Sequence, residues 1–305
     1  MPHRDVSRLL DTAMAAFELG HPEIAVPMAF AGLNLARRAL PAPTWRVTVE
    51  QVVASHPVRS VVLEDPMTRR ALAKPRGYAG DAVLLDYMYR LHPHESDDAT
   101  PRGREIHELL VGGPAPTAAR HRLGVLADAL RSVGARPGSP GRALAVASGH
   151  LRELALVPPD AWPSEVVALD QDADSLAVVA TAHPDPRVVP LRATVRDLLA
   201  RRVPLQPFDL VYSAGLFDYL DVSVAASLTG RLLDLVAPGG RLLLANFTPD
   251  TPDIGFMEAM LEWNLVYRTE ADMEALLDGV SPRPSARTWR DPSGCIVYLD
   301  VVRDG

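Results

Sequence analysis

Apolar residues recur along this chain at two different spacings, and the spacing changes near residue 140. Before that point, segments 5–19, 23–40, 46–55, 66–73, 79–91 and 103–132 carry apolar positions three and four residues apart, the spacing that puts them on one face of a helix. Prolines at 41, 43, 57, 66, 75, 93, 101, 114 and 116 punctuate these segments, and proline breaks a helix from inside. No series of strands is legible there. The pattern predicts a helical N-terminal region, residues 1–134, acting either as a structural bundle or as a lid that excludes water.

Beyond the linker-like ARPGSPGR (135–142), short apolar runs alternate with helical patterns. ALAVA (143–147) reads as a strand buried on both faces, and HLRELALV continues from it as a helix. EVVALD (165–170) is the second strand, followed by helix 172–182 with Asp172 as its N-cap. RVVPL (187–191) is the third strand, and a turn follows at Ala193–Asp197. FDLVYSA (208–214) is the fourth. Helix 223–236 ends at Pro238-Gly239-Gly240, and RLLLANF (241–247) is the fifth strand. Segments 255–266 and 270–280 read as helices. SARTWR and CIVYLDVV flank the turn DPSG as a closing antiparallel hairpin. Residues 135–305 therefore read as an α/β nucleotide-binding domain with a mostly parallel sheet.

Composition narrows the partners. Hydrophobic residues make up 48% of the 305 and charged residues 23%, enough for a full core without long disorder. A net charge of −7, a pI near 5.7 and scattered arginines argue against nucleic acid. Lys74 is the only lysine and Cys295 the only cysteine. One cysteine allows no intrachain disulfide and suits a reducing compartment; within CIVYLDVV it reads as a small buried residue. No run approaches the length of a membrane span, and the N-terminus lacks a signal-peptide pattern. A cytoplasmic protein binding no membrane is expected. The nine histidines show no ligand pairing, so no metal is expected; His92 and His94, beside Pro93, read as solvated loop residues.

The candidate chemistry lies at the carboxyl ends of the strands. The turn AVASGHLRE (145–153) has one glycine, Gly149, where backbone can approach a ligand and helix-start amides favour an anionic group. Asp170 ends the second strand 21 residues later. An acid there accepts hydrogen bonds from ribose hydroxyls; the alternative is a surface aspartate. Thr194–Asp197 can cover an adenine edge, or Asp197 can simply cap a helix. Tyr212 to Tyr219 line the cleft mouth, where aromatic rings attract a sulfonium. Phe217 and Leu220 read as core. His150 reads as a general base, a helix cap or a solvated residue. The first turn lacks GxGxxG, which points to S-adenosylmethionine (SAM) over NAD.

KPRGYAGD (74–81), ASGHLRE (147–153), ALDQD (168–172), FDLVYSAGLFDYL (208–220), APGGRLLLANF (237–247) and MLEWNLVYRTEADMEAL (260–276) together resemble a bacterial branch of class I SAM-dependent methyltransferases. That branch is similar to the enzymes of 3-hydroxypalmitate methyl ester biosynthesis, and the resemblance covers about residues 66–302. It implies a Rossmann-like seven-stranded sheet, mostly parallel with a C-terminal antiparallel hairpin, preceded by a helical cap. It also implies SAM as cofactor and a small-molecule substrate in secondary metabolism. The cofactor set it suggests is Arg76, Ser148, Gly149, His150, Glu153, Asp170, Gln171, Val195, Arg196, Asp197, Ser213 and Ala214. Where the branch usually reads GCGPxRE, Ala147, Ser148 and His150 replace the first glycine, the cysteine and the proline, while Gly149, Arg152 and Glu153 remain. KPRGYAGD reads either as a cap element closing on the sulfonium or as a helix start with Asp81 capping.

Three reactivities fit. In methyl transfer to a small molecule, Tyr78, Tyr212 and Tyr219 are the candidate catalytic residues, and Asn246, Trp263, Tyr267 and Arg268 the candidate acceptor-side residues. A carboxylate acceptor needs no general base, and Arg268 suits it bidentately. An intramolecular cyclisation of SAM would instead give azetidine-2-carboxylate and methylthioadenosine. A non-catalytic SAM-binding or partner protein is the third reading.

Overall fold

The computed structural model describes residues 3–91, 99–134 and 141–304. His92, His94 and residues 135–140 of the linker-like stretch lie outside the described residues. The chain divides into two compact units: Met1–Ala119 with Thr251–Asn264, and Arg120–Asp250 with Leu265–Gly305. The return of 251–264 to the first unit has no marker in composition.

The first unit is helical: α1 (His3–Glu18), α2 (Pro22–Ala39), α3 (Ala42–Thr48), α4 (Pro57–Val62), α5 (Pro66–Ala73), α6 (Ala82–Met88), α7 (Pro101–Val111) and the start of α8 (Pro114–Gly134). Proline opens α4, α5, α7 and α8, where its missing N–H costs nothing and its fixed φ suits the first turn. The single helix expected over 103–132 is two, because Gly112-Gly113-Pro114 interrupts it. The 46–55 segment begins earlier, as α3, and runs into a π-helical turn at Val49–Val53. Helix α4 was not legible as a separate element. Its N-terminus is held by His56, whose ring nitrogen accepts the Val58 N–H at 3.2 Å.

The second unit contains one seven-stranded sheet, ordered β3-β2-β1-β4-β5-β7-β6. Its strands are β1 (Arg142–Val146), β2 (Glu165–Asp170), β3 (Val188–Arg192), β4 (Phe208–Ser213), β5 (Val236–Phe247), β6 (Ser285–Arg290) and β7 (Ile296–Val302). The first five pair in parallel, and the hairpin β6–β7 adds antiparallel to β5. This is the α/β sheet expected from the sequence. Helices α9 (Ala173–Ala182), α10 (Val195–Leu199), α11 (Val222–Asp234) and α13 (Glu270–Ala275) accompany it. Leu144, Val211, Leu232, Leu244, Val297 and Leu299 are fully buried in its core.

Three expectations need correction. The segment after β1 is not an α-helix but a short 3-10 turn, Arg152–Leu156, entered through a left-handed Leu151. The sequence Pro238-Gly239-Gly240 does not end a helix: α11 stops at Asp234, and β5 already runs from Val236, with a register irregularity against β4 between Phe208 and Leu210. Segment 255–266 is helical only as α12 (Ile254–Met260) in the first unit. There Glu262 turns left-handed, φ +48°, and the Trp263 N–H returns to the Met257 carbonyl at 3.0 Å.

Candidate functional site

Parallel strands deliver their carboxyl ends to one edge, and ligands of such sheets bind where the strand order reverses. Here the chain passes β1, β2, β3 outward and then returns to place β4 on the other side of β1. The switch point is therefore the β1–β4 pair, and the loops at its edge begin at Ala147 and Ala214.

The turn after β1 has an unusual backbone. Ala147, Gly149 and Leu151 all have positive φ, near 50°, so left-handed residues alternate with Ser148 and His150. Non-glycine residues visit this region at a cost and persist where surroundings hold them. Asp170 does much of the holding. Its carboxylate accepts the Gly149 N–H at 2.8 Å and the Asp172 N–H at 2.9 Å. The Ser148 N–H donates to the Leu169 carbonyl at 3.1 Å. The Ser148 Oγ is buried and has no hydrogen-bond partner among the described residues. His150 is buried, 5% exposed, which removes the solvated reading. Gln171 is exposed beside Asp170.

Thr194 and Asp197 form a reciprocal capping box at the start of α10: Thr194 N–H and Oγ1 both donate to the Asp197 carboxylate, at 3.1 and 2.6 Å, and Thr194 Oγ1 accepts the Asp197 N–H at 3.1 Å. These hydrogen bonds hold the Asp197 carboxyl below its ordinary range. The capping alternative is the one realised. Val195 packs on the core, and Arg196 is exposed on the same short helix.

At the end of β4, Ser213 donates to the Val146 carbonyl at 2.9 Å, tying the two switch-point strands together beside Ala214. Tyr212 is buried, and its hydroxyl donates to Glu153 Oε1 at 2.7 Å. Burial raises the Glu153 carboxyl, against the Tyr212 hydroxyl and the Arg122 charge, and raises the Tyr212 phenol further. Tyr212 is thus a brace between β4 and the first turn, which corrects its expected place facing a ligand. Tyr219, on the 3-10 turn Phe217–Tyr219, is 38% exposed.

Two of the expected acceptor-side residues are consumed inside the unit. Arg268 is 3% exposed, and its guanidinium donates to the carbonyls of Phe217 and Leu220, each at 2.6 Å, and to Asn246 Oδ1 at 2.8 Å. Asn246 is fully buried and donates to the carbonyls of Phe247 and Val266. Both Nη atoms of Arg268 and the amide of Asn246 are engaged in these bonds, so an incoming carboxylate would compete with them. Tyr267 is partly buried nearby in sequence.

Asp218 was missed, although it lies within the quoted FDLVYSAGLFDYL. It is 2% exposed, accepts the Phe247 N–H at 2.7 Å, and its own carbonyl accepts from Val266 at 2.7 Å. Burial pushes its carboxyl up to about 7, against the Phe247 N–H and the Arg122 and Arg268 charges. An aspartate next to two aromatics in a strand-end turn was the only available signal.

Arg76, Tyr78 and Trp263 belong to the helical unit. Gly77 has φ +89° in the turn that carries Arg76 and Tyr78. Asp81 caps α6 through the Leu84 N–H at 2.9 Å and pairs bidentately with Arg70 at 2.9 and 2.7 Å. Asp81 is therefore the helix-start residue of the second reading of KPRGYAGD. Trp263 is 4% exposed. Among the described residues no group of three metal-ligating side chains could hold an ion, and no helix is long and apolar enough to cross a membrane.

No family model and no curated protein matches the sequence. Solved structures do share its fold. A possible exported protein from Bordetella parapertussis is 21% identical with a TM-score of 0.60, over 83% of this chain and 99% of its own. A candidate methyltransferase from Thermobifida fusca YX is 17% identical with a TM-score of 0.50, over 82% of this chain and all of its own. An O-methyltransferase family protein from Burkholderia thailandensis overlaps less well, at 18% identity and a TM-score of 0.49, over 72% of this chain and 64% of its own. At these identities the likeness is one of fold: the Rossmann-like, seven-stranded class I methyltransferase sheet with its antiparallel C-terminal hairpin and N-terminal helices.

Proposed function

We propose that this chain is a SAM-dependent enzyme that transfers a methyl group to a small-molecule acceptor. The observation that carries the reading is Asp170 bracing the Gly149 turn beside the switch point of a methyltransferase-type sheet. The residues there suit an adenosyl ligand. Each Asp170 oxygen accepts one N–H and keeps a lone pair free, enough for two ribose hydroxyls. The buried, unpartnered Ser148 Oγ supplies a hydroxyl where the turn receives a polar group.

Bound there, SAM supplies a methyl group already activated on a sulfonium. The work left to the protein is to bind, orient and exclude water. Asp170 and the 147–151 turn bind. Gln171, Val195 and Arg196 flank the adenine side in this reading, and Ser213, Ala214 and Tyr219 the methyl side. The buried Glu153–Tyr212 pair fixes the floor of the turn. Tyr267 remains a proposed contact on the acceptor side. A carboxylate acceptor, which needs no general base, is the acceptor class this reading favours, and the resemblance implies a role in secondary metabolism.

The test is product analysis. Purified protein with SAM alone is expected to bind it without turnover, and to release S-adenosylhomocysteine once an acceptor is supplied. Methylthioadenosine and azetidine-2-carboxylate from SAM alone would replace methyl transfer by cyclisation. Absence of SAM binding in calorimetry would end both enzymatic readings.

A further inference from the structure

The helical unit has a cavity of its own, about 540 Å³, within the range of small-molecule sites, on the order of 300–1,000 Å³. Four cationic side chains (Arg37, Arg46, Arg59, Lys74) and three carboxylates (Glu50, Glu258, Glu262) line it, with Trp45 among them. Their pairing is uneven. Glu258 is engaged from within: Arg37 Nε and Trp45 Nε1 both donate to its Oε2 at 2.6 Å. Glu262 is shared by Arg59 Nη2 at 2.8 Å and Lys74 Nζ at 3.3 Å. What is left over is mostly donors. The Arg59 Nε–H is buried with no acceptor among the described residues. Lys74 has ammonium protons beyond the one given to Glu262. The exposed Arg46 makes no hydrogen bond or ion pair among the described residues. The unused acid is Glu50 at the exposed rim.

The backbone around this cavity is held in unusual conformations. Residues 49–53 wind as a π-helical turn, a form that recurs at functional sites; it carries Val49 and Glu50 into the wall that Ala42, Trp45 and Arg46 begin. Lys74 and Glu262, which meet across the cavity, are both left-handed, φ +46° and +48°, a conformation that non-glycine residues keep only where their surroundings hold it.

We propose that this cavity binds a small organic oxyanion, a carboxylate or a phosphate monoester, through Arg46, Arg59 and Lys74. Excess donors need acceptors, and a planar guanidinium suits two oxygens at once. Val49, Ala42 and Ala54 leave room for a compact apolar body. The site does not depend on the methyltransferase reading, and anion binding and SAM binding are separate read-outs.

The probes are benzoate and phenyl phosphate, which share a body and differ in head group, titrated calorimetrically into the full chain. At least one binds with Kd below about 1 mM, and the stronger of the two identifies the head group. Arg46→Ala weakens that binding about tenfold or more, whereas Glu50→Gln, which removes a repelling charge, tightens it. Neither side chain has a partner among the described residues, so both variants keep the parent Tm. Failure of both probes to bind at about 10 mM, a concentration well above that Kd, overturns the proposal. So does binding that Arg46→Ala leaves unchanged, since the anion would then sit elsewhere.

Discussion

Asp218 shows how one residue sets a pH response. Its carboxyl titrates near 7 in the fold, from an ordinary 3.8, chiefly because it is buried. Between those values the folded chain holds a proton that the unfolded chain has lost. This contribution is therefore complete below about pH 4, declines as pH rises through 7 and is constant above, a loss of roughly 4 kcal/mol at most. Asp218→Asn keeps an oxygen for the Phe247 N–H and cannot titrate. Denaturant titrations from pH 4 to 8 are expected to show the wild type losing stability relative to this variant across pH 4–7, with no further divergence above. A constant difference across that range would mean that Asp218 stays ionised, paired with Arg268 or Arg122. Arg268 carries the complementary lesson. A guanidinium is read from sequence as a ligand clamp, yet here it holds the turn Phe217–Leu220 and the end of β5 through three acceptors.

Among the elements, α12 owes its place to a glycine. A Cβ on Gly255 would lie 2.4 Å from the Leu33 carbonyl oxygen and 2.7 Å from the Asn34 Cα, so α2 and α12 touch backbone to backbone. Asn34 Oδ1 accepts the Phe256 N–H at 3.1 Å, and the Phe30 and Phe256 rings lie 5.5 Å apart. Gly255→Ala is expected to lower stability by about 2 kcal/mol or more, because main chain and not a flexible side chain must yield. Thermal unfolding reads this directly, and an unchanged Tm would mean that the two helices separate at little cost. Asp81 acts similarly at the start of α6, where capping and the Arg70 pair converge on one buried carboxylate.

For the molecule as a whole, a ligand that binds only the folded state raises Tm by mass action. SAM at about 100 times its Kd is expected to add roughly 2.7 kcal/mol. Asp170→Asn removes a charged acceptor from the turn and is expected to weaken that effect about tenfold in SAM concentration, the measure being Tm against SAM. Equal shifts in both proteins would place the nucleoside away from β2. Net charge acts at this scale too: at −7, the chain repels polyanions at long range, even though its helical unit gathers cations in one cavity.

Much of this was legible in the chain. Apolar runs such as EVVALD have one stable solution, a strand covered on both faces, and their alternation with helical patterns dictates a parallel sheet. Proline punctuation set α5 to the residue, between Pro66 and Pro75, because φ restriction is local. β2 follows its apolar run to the residue, and Asp170 was legible as the acid that closes it. The bounds of the other strands and the 3-10 turn after β1 were not, since each depends on what packs alongside. Neither were the roles of Tyr212, Asn246 and Arg268, whose polar groups could equally face ligand or protein until Glu153 and the carbonyls of Phe217, Leu220 and Val266 were brought beside them. Local periodicity and backbone restriction act between near neighbours and are written in the sequence. Hydrogen-bond partners far apart in the chain, and the burial that moves a pKa, exist only once the chain has folded, and tertiary structure alone assigns them.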